Sequence, residues 1–188
     1  NEWAILINNL IYNGTLAIKN FDGFLLPNLW MPPLYAYYIY IFSLLNLDYQ
    51  NFILLILLSQ VLLASISVGV FYKINTIFFS KKISLFGSAL FSFFPLYLYA
   101  CAQISSISLH IFLALFFYYY FFQIVKKKDF LSILIFSFLA GLLILTRREF
   151  IAILVISSFF LLIFFKIPKK KIFLVFFITM ITVSPYLV

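Results

Sequence analysis

Residues 83–125 run for 43 positions without an aspartate, glutamate, lysine or arginine. A hydrocarbon core about 30 Å thick takes about 20 helical residues, so this stretch is too long for one crossing and too apolar for a loop. It divides near residues 102–105, a small and polar patch that follows Pro95. Between Asp48 and Lys73 lie 24 further uncharged residues; a helix over 52–72 is about 31 Å long at a rise of about 1.5 Å per residue. Residues 130–146, 150–165 and 172–188 are shorter runs of the same kind. The pattern predicts an all-α, polytopic membrane helix bundle of about six spans: 52–72, 83–102, 104–125, 130–146, 150–165 and 172–188. Composition agrees, with 66% apolar and 10% charged residues, where soluble domains run near half and a quarter.

The charges that remain are unevenly placed. The chain carries +8 net charge, yet ten of its thirteen cations sit in three clusters: Lys73, Lys81 and Lys82; Lys126, Lys127 and Lys128; Lys166, Lys169, Lys170 and Lys171. These clusters fall in alternate connections of the six-span reading and so share one face, which the positive-inside rule makes cytoplasmic. Lys19, Arg147 and Arg148 fall on the other face. The positive balance is thus a topology signal, and no nucleic-acid partner is expected. Residues 31–45 are apolar, but a helix from Pro33 to Leu45 reaches only about 20 Å. Tyr35, Tyr37, Tyr38 and Tyr40 favour the membrane–water boundary, so this segment reads as an interfacial helix. The organisation expected is an external segment over 1–51 and a membrane bundle over 52–188. The chain opens on Asn1 and stops at Val188 inside an apolar run, and it reads as a fragment with further spans before and after. Cys101 is the only cysteine, so no internal disulfide forms.

The Leu145-Thr146-Arg147-Arg148-Glu149-Phe150 stretch breaks two rules at once. Thr146 and Glu149 have capping-box spacing, which would put both arginines at the start of a helix, where cations are disfavoured. They also lie on the face that insertion keeps poor in cations. A bound anion resolves the conflict, since a helix N-terminus with guanidinium groups is a phosphate site; at a membrane surface that phosphate belongs to a lipid. Glu2, Asp22 and Asp48 are the carboxylates expected on the same side, and one of them is a candidate general base. Asp22, in Phe21-Asp22-Gly23, reads as a turn residue, and Glu149 as a capping residue or a cleft residue. His110, Gln103 and Tyr35 are further cleft candidates, although a lone histidine without metal-spaced partners reads first as a hydrogen-bonded structural residue. No metal ligand set, Gly-rich phosphate loop or nucleophile elbow occurs, so no cofactor is expected, the need for a divalent metal is open, and a sugar donor would be lipid-linked. Small residues four apart, Ser88/Ser92 and Ser137/Gly141, suit close helix contacts.

Taken in order, these features resemble the GT-C membrane glycosyltransferases of the protein O-mannosyltransferase and aminoarabinose transferase kind. The residues that carry the likeness are Asn1-Glu2-Trp3, Asn9-Leu10 with Gly14, Pro32-Pro33-Leu34-Tyr35, Pro95 with Tyr97 and Tyr99, Gln103, Gly141 leading to Leu145-Thr146-Arg147, and Ser184-Pro185-Tyr186. Three positions depart from it. Asn1 stands where the family often has one of two acidic residues, Met31 stands where a histidine or lysine is usual, and Arg148 stands where proline often follows the arginine. The resemblance implies a polyprenyl-phosphate sugar donor, an acidic first-loop residue (Glu2) as catalytic base, and Arg147, with Arg148 beside it, at the donor phosphate. The acceptor would be a glycan, lipid A or protein hydroxyl at the external face of a bacterial plasma membrane. A transporter or lipid flippase is the alternative, and it expects charged or broken helices near mid-membrane. A non-catalytic membrane scaffold is a third reading, and it leaves the external arginines idle.

Overall fold

A computed structural model describes residues 2–19, 23–27 and 33–187. The readings made for Asn1, Asp22, Met31 and Pro32 lie outside them. Helix α1 (Glu2–Asn13) buries Leu6, Ile7 and Leu10 on one face. It stops at Gly14, whose φ of +66° is open to glycine at no steric cost and whose N–H closes on Leu10 O at 3.1 Å. The antiparallel hairpin of β1 (Ala17–Lys19) and β2 (Leu25–Pro27) follows, and Asn9 Nδ2 ties it back to α1 through Ala17 O at 2.7 Å. Helix α2 (Pro33–Ser43) starts at a proline, whose missing N–H is no loss in the first turn. It buries Tyr35, Ala36 and Ile39. The interfacial segment is therefore a short helix of 11 residues that packs on the bundle as well as preceding it.

The long elements begin with α3 (Tyr49–Asn75), capped by the Asp48 carboxylate, and include α6 (Ser106–Lys127), capped by the Ser105 hydroxyl. Between them the expected span over 83–102 is two helices, α4 (Lys81–Ser92) and α5 (Pro95–Cys101), bent by 55°. Pro95 is the cause: it has no N–H to donate backwards, and it holds Phe94 in extended geometry at ψ 118°. Helices α7 (Phe130–Ile144), α8 (Phe150–Ile163) and α9 (Lys169–Leu187) complete the chain. By length and apolarity α3 and α6 can cross a membrane, and the bent α4–α5 pair is a third candidate. Among the described residues, two or three of the six expected spans thus have the length and apolarity to cross by themselves. At 15 and 14 residues, α7 and α8 reach only about 21–22 Å, short of a 30 Å core.

Helix α7 is the centre of the bundle, with Ile133, Phe136, Ser137, Ala140, Gly141 and Leu143 all buried. Phe117 of α6 stacks on Phe136 with ring centroids 4.3 Å apart. On the opposite side α9 comes very close, because a Cβ placed on Gly141 would stand 2.5 Å from Thr182 Cβ. Thr179 Oγ1 shares its proton between Val175 O at 2.8 Å and Ser137 O at 3.1 Å in the same seam, so the Ser137/Gly141 pair makes the close contact its spacing predicts. Outward faces carry large apolar groups such as Leu62, Phe86, Ile156 and Phe173, which need a lipid or partner environment. The connections sort to two ends. Lys171 Nζ donates to Lys128 O at 2.6 Å, and Phe78, in the α3–α4 connection, packs edge-on to Phe122 near the end of α6. All three lysine clusters therefore share one end of the bundle, and the arginine turn occupies the other.

Candidate functional site

Arg147, Arg148 and Glu149 lie in the turn between α7 and α8, with exposed side chains. The capping box predicted from Thr146 and Glu149 is absent. Glu149 is itself the residue preceding α8, in helical geometry (φ −58°, ψ −19°) and without a side-chain cap, whereas capping needs extended backbone. Thr146 turns inward instead: it is buried, and its hydroxyl donates to Leu143 O at 2.7 Å. Consecutive tight turns carry the chain from one helix into the next, with Phe150 N, Ile151 N and Ala152 N bonded to Arg147 O, Arg148 O and Glu149 O. Those three amides are occupied, which leaves the exposed guanidinium groups as the strongest anion donors in the turn.

The two arginines serve different sides of the turn. The charge of Arg147 acts on His110 of α6, as does that of Glu149. Arg148 borders a groove of about 580 Å³ between α7, α8 and α9. Ile144, Leu145, Ile151, Leu154, Phe176, Met180 and Val183 make its walls, and Pro33 of α2 joins the lining. Arg148 is the one charged side chain among the described residues that line it, and Thr179 and Tyr186 are its other polar groups. An apolar trough with one cation at its mouth suits an amphiphile with an anionic head. Neither guanidinium has an ion-pair partner among the described residues, and Asp48, one of the carboxylates expected on the same side, accepts from Asn51 at the start of α3.

The remaining candidates scatter. Glu2 opens α1, and its side chain lies outside the described residues. Tyr35 is 1% exposed and donates its hydroxyl to Gln60 Oε1 at 2.7 Å. Burial and the neighbouring Tyr38 hold its phenol well above the ordinary range. Gln103 has an exposed side chain, and its carbonyl accepts from Gln60 Nε2 at 2.7 Å. His110 is half-buried and meets Thr146 Oγ1 at 2.8 Å through Nδ1, the hydrogen-bonded setting expected of a lone histidine. Among the described residues no three His, Cys, Asp or Glu side chains gather as a metal site.

Sequence reasoning missed Gln60, the groove walls supplied by α9, and the hydrogen bond from Leu34 N to Leu145 O at 3.1 Å that sets α2 against the arginine turn. For Gln60 the signal was available, as an amide in the middle of an apolar span. A second hollow of about 620 Å³ lies beside α1, where Asn8, Tyr12, Ser43, Asn46 and Tyr49 give it a neutral polar lining. Residues 31–188 match the model of a family described as dolichyl-phosphate-mannose-protein mannosyltransferase. No curated protein and no solved structure matches the chain.

Proposed function

The chain belongs to the dolichyl-phosphate-mannose-protein mannosyltransferase family, a GT-C family of membrane glycosyltransferases that use polyprenyl-phosphate sugars, and on that premise we propose where and how its donor is held. The donor phosphate lies at Arg148, with Arg147 beside it, and the first part of the polyprenyl chain lies in the groove between α7, α8 and α9. One observation carries this reading: the groove is walled mainly by apolar side chains, with Thr179 and Tyr186 as neutral polar groups and Arg148 as the one charged residue among the described lining. A lipid-linked anion satisfies both halves of that lining.

The proposed reaction is a single displacement. The acceptor hydroxyl attacks the anomeric carbon, the bond from that carbon to the lipid phosphate oxygen breaks, and a carboxylate takes the hydroxyl proton. Glu2 is the proposed base, and the acceptor is a glycan, lipid or protein hydroxyl. Positive charge beside the departing phosphate contributes on the order of 3–4 kcal/mol in comparable sites. The active face is the one opposite the lysine clusters, outside a plasma membrane. The described long helices α3 and α6 bear charge only in their last turns, which favours chemistry at a surface over transport through the centre.

Transfer from a labelled polyprenyl-phosphate sugar, measured with the full-length protein in membranes, tests the reading. Arg148→Ala is expected to lower kcat/KM on the order of 10²-fold, and an unchanged rate rejects the phosphate role. Side-selective labelling of a cysteine placed in the 145–149 turn tests the face, and labelling from the lysine side rejects it.

A further inference from the structure

The arginine turn is short and its charged side chains are exposed, so something else must fix the direction in which they point. The contacts of His110 supply it. Its Nδ1 lies 2.8 Å from Thr146 Oγ1, immediately before the arginine pair. Its ring meets Phe150, immediately after Glu149, edge-on at 6.1 Å. Phe150 is also packed edge-on against Phe117 at 4.9 Å, and Phe117 stands two helical turns along α6 from His110. One face of α6 thus grips both flanks of the Arg147-Arg148-Glu149 triplet.

Thr146 Oγ1 lies 2.7 Å from Leu143 O and 2.8 Å from His110 Nδ1; with the hydroxyl's one proton on the carbonyl, the ring donates from Nδ1 and Thr146 accepts. Thr146 then links α6 to the last turn of α7. Leu34 N holds the same turn from the other side through Leu145 O at 3.1 Å.

We propose that His110 is a positioning residue, acting through Thr146 and Phe150 to hold the arginine turn in register with the lipid groove. This rests on the donor site proposed above. His110 touches no substrate in this scheme; it sets where the Arg148 guanidinium stands relative to the groove, and hence the affinity for the phosphate.

The test compares steady-state transfer and thermal midpoints of the full-length protein in lipid nanodiscs for His110→Ala, His110→Asn, Thr146→Val and Arg148→Ala. Asparagine places an N–H donor where Nδ1 stands, so it keeps the bond to Thr146 without the ring. His110→Ala and Thr146→Val are expected to raise the donor KM about three- to tenfold, the loss of one hydrogen bond, with kcat changed less than about twofold. His110→Asn is expected to return KM most of the way. If His110→Asn is as impaired as His110→Ala, or if the midpoint falls while KM holds, the positioning role is overturned. A raised KM in Arg148→Ala alone overturns the positioning role and leaves the donor site standing. An unchanged KM in Arg148→Ala removes both.

Discussion

The Tyr35 hydroxyl donates to Gln60 Oε1 over 2.7 Å, and that one amide also holds three backbone groups. Gln60 Nε2 donates to Gln103 O at 2.7 Å and to Cys101 O at 3.3 Å, and Oε1 accepts from Ser105 N at 3.2 Å. Gln60 is 0% exposed, so α2, α3 and the α5–α6 connection meet at a single satisfied polar node. Gln60→Leu strands these groups in an apolar setting and is expected to destabilise by about 1–3 kcal/mol. Tyr35→Phe removes the bond to Gln60 and is expected to cost about 1 kcal/mol. Thermal midpoints in detergent check both, and the double variant should fall short of the sum because the two share a contact. Full additivity would dissolve the node.

Gly141→Ala adds a methyl group where Thr182 Cβ leaves 2.5 Å. The neighbour is the β-branched side chain of Thr182, whose Cγ2 also stands 2.7 Å away and which is stiff at χ1. Overpacking of this kind costs about 1–3 kcal/mol, so a lower thermal midpoint is expected. A midpoint equal to that of the parent would show that α9 shifts freely.

Met180 borders the groove and is 68% exposed, so Met180→Trp can narrow it without disturbing the core. Its effect on stability is expected within about 0.5 kcal/mol. For a donor whose tail lies in the groove, KM should rise about tenfold, equivalent to about 1.4 kcal/mol. A donor analogue truncated to a short, water-soluble chain should be little affected. Equal loss with both donors would separate the groove from the tail.

Asp129 precedes α7 and accepts from Ser132 N at 3.2 Å. The Ser132 side chain first, then backbone amides and the Lys127 charge, hold its carboxyl below the ordinary value of 3.8. A depressed carboxyl contributes stability above its unfolded value, and that contribution is lost as pH falls through the folded one. The thermal midpoint should therefore be insensitive to this group from neutral pH down to about 5, and should decline below about 4. Asp129→Asn should flatten that acid limb. An acid limb of the same depth in the variant would assign it to other groups.

The sequence reported its topology through charge. Three lysine clusters in alternate connections predicted a shared end, and the Lys171–Lys128 and Phe78–Phe122 contacts bear that out. Helix existence followed from uncharged runs, but continuity did not, because Pro95 sits inside such a run and its bend depends on what packs around it. At 145–149 residue spacing gave the opposite of the local geometry. Thr146 and Glu149 spell a capping box, yet the Thr146 hydroxyl found a partner in Leu143 and in a histidine 36 positions away. The groove was not legible as a groove: Pro33, Leu145 and Tyr186 sit in stretches that carried the family likeness, but only the packing of α7, α8 and α9 makes a trough beside Arg148.

The short reach of α7 and α8 sets the terms of encounter for a lipid-borne substrate. On the proposed reading, a hairpin that starts at the lysine end and falls about 8 Å shy of the hydrocarbon thickness draws a bound phosphate inward, toward the edge of the hydrocarbon layer. For the donor site proposed above, capture is a lateral search in two dimensions, and turnover would follow the mole fraction of donor in the leaflet, not its amount per volume of solution.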